Sequence, residues 1–254
     1  MKITFLGTGT SQGVPVIACE CDVCRSDDPR DKRLRTSILI ETEGKSIVVD
    51  CGPDFRQQML RENIRSIDAI LVTHAHKDHI GGLDDVRAFN YILKRPTDVY
   101  TTQEVSAVIR NEFAYAFHEN KYPGVPEIIL KQFENQPFMI SGIRIIPIEA
   151  RHFQEQFVYG FRIHDFTYIT DAVEISDKEK AKIAGSKVIV INALRKQKHY
   201  SHFNLNEAVT ILKELHPVRG FLTHVSHQMG TFKDVSQELP DFIQLGFDGL
   251  KIEI

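Results

Sequence analysis

The stretch Ala69-Ile70-Leu71-Val72-Thr73-His74-Ala75-His76-Lys77-Asp78-His79-Ile80-Gly81-Gly82 passes from an apolar run into three imidazoles and a carboxylate within six residues. Its apolar part is short and rich in branched residues, so it reads as a buried strand. The histidines then lie at that strand's carboxyl end, where open α/β sheets place their ligand sites. Four ligands from one turn are too many for a single small ion and suit two. With a tight turn at this point, His74 and His76 can face one side while Asp78 and His79 face the other. Gly81-Gly82 permits such a turn, and Leu83 to Phe89 has the spacing of a helix leaving it. Imidazole nitrogen and carboxylate oxygen suit Zn, Mn or Fe rather than Ca, and a paired site can activate water between its ions. The competing reading, a His-rich surface turn, accounts for neither the preceding strand nor the diglycine.

Together with Val48-Val49-Asp50-Cys51-Gly52 upstream, the HAHKDH segment resembles the metallo-β-lactamase superfamily of binuclear hydrolases, and the resemblance extends over nearly the whole chain. It implies an αββα sandwich of the α/β class, one domain over residues 1–254. It also implies that His74, His76 and a later His hold one ion, that Asp78, His79 and a last His hold the other, and that an Asp bridges them. The later ligands are sought among His and Asp residues that follow strand candidates. His152 follows Ile143 to Ile148, Asp171 follows Phe166 to Thr170, and His224 follows Gly220 to Thr223. Taken singly, each is as readily a loop or capping residue; their order, His then Asp then His, is the superfamily's. Asp50 is placed to orient the first cluster through hydrogen bonds, as metal ligands usually require.

Cys19-Glu20-Cys21-Asp22-Val23-Cys24 brings three of the four cysteines together in a loop without periodicity. An odd local count cannot pair fully into disulfides, and no secretory signal is expected here. Structural zinc sites are commonly four-coordinate, so a fourth ligand must come from elsewhere. His227, separated from His224 by Val225-Ser226, is the candidate, and free thiols are the alternative. Cys51 reads as a small buried filler.

Within the superfamily the chain looks like the phosphoribosyl cyclic phosphate phosphodiesterases, on Leu6-Gly7-Thr8-Gly9-Thr10-Ser11, Asp50-Cys51-Gly52-Pro53-Asp54-Phe55-Arg56 and Ser201-His202-Phe203-Asn204-Leu205 as well as the cysteine loop. That branch carries a structural zinc closed by a distant His. In it, the residue matching His202 faces the metals and assists departure of the leaving oxygen. His202 also precedes a helical run, Leu205, Ala208, Val209, Leu212 and Leu215, and is alternatively just that helix's N-terminal histidine. The resemblance thus implies two divalent ions (Zn or Mn) plus one structural Zn. Asp78 and His202 would serve the chemistry, and the substrate would be a small cyclic phosphodiester, phosphoribosyl 1,2-cyclic phosphate opened to ribose 1,5-bisphosphate. The alternatives are a transfer-RNA 3′-processing nuclease, for which no basic glycine-rich arm is seen, and a noncatalytic metal-binding or sensing protein. Arg56, Arg151, Arg195, Lys196 and Lys198 are unranked candidates to hold phosphate.

Composition sets broad limits. The 254 residues are 42% hydrophobic, enough for a sizeable core, and 31 Lys and Arg against 34 Asp and Glu give a formal charge of −3. That balance implies no general nucleic-acid surface. No apolar stretch approaches the ~20 residues a membrane helix needs, and the chain enters a strand candidate at Ile3, so a cytoplasmic enzyme without a leader is expected. A homodimer is the one assembly considered.

Strands are expected at Ile3–Leu6, Ser37–Glu41, Ile47–Val49, Ala69–Val72, Asp98–Thr101, Ile143–Ile148, Val158–Ile163, Phe166–Ile169, Lys187–Ile191 and Gly220–Thr223. Helices are expected within Phe55–Glu62, Leu83–Tyr91, Glu104–Phe113, Lys178–Ile183 and Leu205–Leu215. The aromatic segment Phe113–Pro126 is either a lid or a packed loop.

Overall fold

Two seven-stranded sheets face one another in the computed structural model, which describes residues 1–254. The first contains β1 (Lys2–Gly7), β2 (Ser37–Thr42), β3 (Lys45–Val49), β4 (Ala69–Leu71), β5 (Thr97–Thr101) and β6 (Ile128–Gln132). The second contains β7 (Phe138–Ile140), β8 (Ile143–Phe153), β9 (Gln156–Ile163), β10 (Phe166–Ile169), β11 (Val188–Asn192), β12 (Arg219–Thr223) and β13 (Ile243–Leu245). The last strand, β14 (Lys251–Glu253), returns to the first sheet and pairs antiparallel with β1. The orders are β14-β1-β2-β3-β4-β5-β6 and β13-β12-β11-β10-β9-β8-β7. The strands from β3 to β6 run parallel, as do those from β10 to β13.

Alternation along the strands builds three apolar layers. Ile47, Val49, Ala69 and Leu71 point inward and meet Phe161, Phe166, Tyr168 and Val190 of the other sheet. Val48 and Ile70 point outward, beneath the helices Phe55–Arg61, Arg87–Leu93 and Gln103–Glu112. On the far side, Ile189 and Ile191 pack under Asp177–Ile183, Leu205–Leu215 and Phe232–Glu238. Strands covered on both faces read as continuous apolar runs, which is why Val188-Ile189-Val190-Ile191 shows no polar alternation. The result is the expected αββα sandwich. No helix is long and apolar enough to cross a membrane.

All ten expected strands and all five expected helical regions form. The four strands that sequence patterning missed, β6, β7, β13 and β14, are the outermost strands of the two sheets. Leu83–Tyr91 divides into a 3₁₀ turn, Leu83–Val86, and the helix Arg87–Leu93. Phe113 and Ala116 pack into the helix-covered layer of the first sheet, so Phe113–Pro126 is built on a packed aromatic segment, and it lines neither cavity at the sheet ends described below.

Gly81 and Gly82 serve a different need from the one expected. Their φ angles, −63° and −97°, are open to any residue. What they require is space. A Cβ on Gly82 would lie 2.0 Å from the Gly52 carbonyl oxygen, and one on Gly52 would lie 2.0 Å from that of Asp78. The loops after β3 and β4 are thereby pressed backbone to backbone, with Cys51 N–H donating to His79 O and Gly82 N–H to Cys51 O, both at 2.8 Å. Gly82→Ala is expected to force these loops apart and lower stability by about 1–3 kcal/mol, the usual range for overpacking, seen as a lower midpoint in thermal denaturation; an unchanged midpoint would show that the contact can relax.

Candidate metal centre

The parallel strands deliver their carboxyl ends to one edge of the sandwich. Asp50 follows β3, the HAHKDH segment follows β4, Asp171 lies two residues beyond β10, and His224 follows β12. His152 differs from expectation: β8 does not stop at Ile148 but runs to Phe153, and an irregularity between Arg151 and Phe153 sits where His152 joins the site. Such bulges commonly re-aim a side chain. Asp78 and His79 lie in a one-turn helix, Lys77–Ile80, rather than in a bare turn.

Asp50 is the hub of this edge. Its buried carboxylate accepts the Thr73 N–H at 2.9 Å, the Thr73 hydroxyl at 2.9 Å and the His79 Nδ1–H at 2.7 Å. The Thr73 oxygen in turn accepts from His74 Nδ1 at 3.0 Å. His152 Nδ1 donates to the Asp171 carbonyl at 2.6 Å. His74, His79 and His152 are thus held through Nδ1, which leaves Nε2 facing the centre.

Around that centre the donor atoms converge. His74 Nε2 and His76 Nδ1 are 2.9 Å apart. His79 Nε2 is 3.2 Å from Asp78 Oδ2 and 3.3 Å from Asp171 Oδ2, and His224 Nε2 is 3.3 Å from Asp171 Oδ1. Ligands of a tetrahedral ion at metal distances of about 2.05 Å stand about 3.3 Å from one another, so these separations fit. Donor atoms of His74, His76 and His152 cluster within 4.8 Å of one another, as do those of Asp78, His79 and His224. Asp171 is shared, meeting His74 and His79 in one group and His152 and His202 in another. His79 Nε2 is buried with no hydrogen-bond partner, the condition of a ligand atom aimed at a cation.

Charge follows the same logic. Burial depresses His74, His152 and His224, the last to about 4, so these rings are neutral and carry free lone pairs. Burial acts against His79 as well, but the carboxylates of Asp50, Asp78 and Asp171 override it and hold its pKa well above the ordinary value. Burial would raise Asp171, yet His224, His79 and a hydrogen bond from His202 hold it well below the usual carboxylate range. Three carboxylates converging on the His79 ring leave negative charge that divalent cations would balance, and a cation bound at Nε2 would take the place of a proton there. Asp50, Asp171 and His224 all have left-handed backbones, with φ of 65°, 58° and 56°. Asp and His are enriched in that region among non-glycine residues, and strain of this kind concentrates at functional sites.

His202 lies outside the helix that it precedes. Asn204 and Glu207 cap Leu205–Leu215 reciprocally. His202 instead reaches Asp171 Oδ1 through Nε2 at 2.9 Å, while Ser201 Oγ lies 2.8 Å from its Nδ1. It stacks on His224 with ring centroids 5.0 Å apart and lines a cavity of about 610 Å³ with Asp78, His152 and Asp171.

The three cysteines of the loop converge on His227. Sγ of Cys19, Cys21 and Cys24 lie 3.2, 3.4 and 3.6 Å from His227 Nδ1, close to the sulfur–nitrogen separation of about 3.6 Å in a tetrahedral zinc site. The N-terminal loop reaches His227 by backbone pairing, with Val225 N–H donating to Thr8 O at 2.8 Å and Thr10 N–H to Val225 O at 3.2 Å. Cys51 is fully buried and apart from this group, as its reading as a filler implies.

Of the five basic candidates only Arg195 lines the cavity. Arg151 is paired with Glu174, Lys196 with Glu238, and Arg56 lines a separate surface hollow with Met59 and Phe89; Lys198 is outside the wall of this cavity. Sequence reading missed Gln12, His199, Tyr200 and Gln228 in the same wall. They are polar loop residues with no periodicity or spacing to mark them.

Comparison with known proteins places these features in context. A model of the β-lactamase superfamily domain matches residues 45–225. A Porphyromonas gingivalis protein named octanoyltransferase is 39% identical over 254 residues, covering 99% of this chain and 51% of that protein. The chain thus spans about half the length of the curated relatives it matches. A crystal structure described as a diphosphatase from the PhnP family superposes with a TM-score of 0.93 at 36% identity, covering 100% of this chain and 97% of that one. Zn-bound PqqB from Methylobacterium extorquens shares the fold, with a TM-score of 0.81, 19% identity and full coverage of both chains.

The thiols of the loop differ in acidity. The Cys24 N–H lowers Cys21 to about 6, while burial pushes Cys24 up to about 11. Zinc takes thiolates, so protons compete for the loop. Zinc affinity, followed by competition with a chromogenic chelator, is expected to weaken as pH falls, because Cys24 must lose a proton to bind, and to weaken more steeply below about 6, where Cys21 gains a proton as well. A profile flat between pH 7 and 5 would contradict thiolate ligation by the loop, and one that does not steepen below about 6 would remove Cys21 from the ligand set.

Proposed function

The chain belongs to the metallo-β-lactamase superfamily, within it to the PhnP family, and from that footing we propose that it is a metal-dependent hydrolase of small phosphodiesters. The observation that carries this reading is Asp171, one carboxylate shared between two groups of imidazoles and touched by a further histidine in an open cavity. Two divalent ions, zinc or manganese, held by His74, His76, His152, Asp78, His79, His224 and the shared Asp171, would activate water and neutralise phosphoryl oxygens. Asp50 keeps Thr73 and His79 in place and, through Thr73, His74. His202, hydrogen-bonded to Asp171 and facing the cavity, donates a proton to the departing ester oxygen. Cys19, Cys21, Cys24 and His227 would hold a structural zinc, and His227 also lines the cavity wall.

The finer reading is a cyclic ribosyl phosphate, phosphoribosyl 1,2-cyclic phosphate opened to ribose 1,5-bisphosphate, and it rests on the resemblance of the four motif segments. An acyl-transferase reading would rest on the name of a relative of which this chain covers only 51%. A transfer-RNA-processing reading calls for many phosphate contacts, whereas Arg195 is the sole Lys or Arg in the cavity wall.

Bis(p-nitrophenyl) phosphate should be hydrolysed by the Mn- or Zn-loaded protein and not by the Asp78→Ala variant. Metal-loaded protein that leaves this and other phosphodiesters intact would overturn the reading. His202→Ala should keep its metal content, by elemental analysis, while turnover falls by ~10²- to 10⁴-fold, the usual contribution of a general acid. Because p-nitrophenolate leaves without much help, the loss should be largest for alkyl esters. Undiminished turnover of an alkyl ester would take His202 out of the chemistry.

A further inference from the structure

Two cavities open on the metal centre, share His76, His152 and Gln156, and differ in charge. The first, about 610 Å³, has Arg195 in its wall, and its carboxylates, Asp78 and Asp171, are the ones that bound cations would neutralise. The second, about 650 Å³, lies between the helix Gln103–Glu112 and the β8–β9 hairpin, and its wall carries Glu104, Glu149 and Glu155 with no Lys or Arg. An anionic substrate that reaches across the centre therefore meets attraction on one side and repulsion on the other.

Arg195 is also mounted to receive a ligand. It follows β11, and the Leu205 N–H donates to its carbonyl at 2.9 Å. Its neighbour Leu194 donates to Phe203 O and accepts from Ser226 N–H, both at 2.9 Å. The backbone of Arg195 is thus tied to the segments that carry His202 and His224. At the far end of the side chain, Nη1 donates to Gln228 Oε1 at 2.7 Å and Nη2 to the Lys198 carbonyl at 3.1 Å. Nε is buried without a partner. A guanidinium has five N–H donors in a planar fork that matches phosphate, and these contacts hold the fork in place while leaving donors unused.

We propose, building on the phosphodiesterase reading, that Arg195 binds a second phosphate of the substrate, a monoester remote from the scissile phosphorus, and so fixes which end of the molecule enters the first cavity. The glutamates of the second cavity reject the reversed orientation. Arg195 acts in specificity and positioning, and takes no part in bond cleavage.

The test compares thymidine 3′-(p-nitrophenyl phosphate) with the same compound carrying a 5′-phosphate, using manganese-loaded protein. Wild type should show the lower KM for the 5′-phosphorylated compound. Arg195→Gln should raise that KM by roughly ten- to a hundredfold, in line with losing a charge-assisted contact. Its kcat, and its KM for the compound without the 5′-phosphate, should stay within about threefold. Arg195→Lys should recover part of the loss, since it restores the charge without the fork. Equal losses on both compounds, a fall in kcat rather than a rise in KM, or no wild-type preference would overturn the assignment. If neither compound nor bis(p-nitrophenyl) phosphate is cleaved, the phosphodiesterase reading itself fails; if both are cleaved with no dependence on the 5′-phosphate, only the role of Arg195 fails.

Discussion

The Asp50 carboxylate is the constraint on which the rest of the site depends. It is fully buried, follows β3 in a left-handed conformation, and holds Thr73 and His79 of the neighbouring loop through three hydrogen bonds. Burial pushes its pKa up, and its partners His79 and Thr73 oppose that shift. A buried carboxylate is tolerable only when so satisfied. Removing it would leave His79, a ring among three carboxylates, free to turn. The close backbone approach at Gly52 and Gly82 is what brings the two loops within reach of this one side chain.

The second half of the site is locked in a comparable way by a buried side-chain amide rather than by a carboxylate. The Asn192 side chain accepts the Ala172 N–H and donates to the Ala172 carbonyl, both at 2.9 Å, and Phe203 N–H reaches the same carbonyl at 2.8 Å. Asp171 is thereby fixed against His152 and His202. Both halves place polar ligands at the carboxyl ends of parallel strands, so a rigid apolar sandwich positions a charged cluster whose side chains have little freedom to move. Such preorganisation lets a site stabilise developing charge without rearranging as it reacts.

Much of this was legible in the chain because the chemistry is dense where the sequence is local. HAHKDH carries four donors in six residues, and the later His, Asp and His each stand near a strand's end. What escaped was set by three-dimensional context. The edge strands β6, β7, β13 and β14 pair on one side only and bury just one or two residues each, so their apolar signal is weak. The continuation of β8 through His152 depends on pairing with β9, which local pattern does not reveal. The diglycine looked like a flexible turn because glycine's other use, close approach, depends on a partner loop distant in sequence. Among five basic residues, only their partners in space separate Arg195 from Arg151 and Lys196, and no spacing rule encodes those partners.

In the function proposed above, the donor groups around Asp171 would take a pair of ions, and Cys19, Cys21, Cys24 and His227 a separate one. Native mass spectrometry of zinc-loaded protein tests this most directly, with Cys19→Ser and Asp171→Ala measured alongside. Three ions per chain are expected, with one lost in the cysteine variant and the pair weakened in the aspartate variant. A single ion that survives Asp171→Ala but not Cys19→Ser would contradict the binuclear centre.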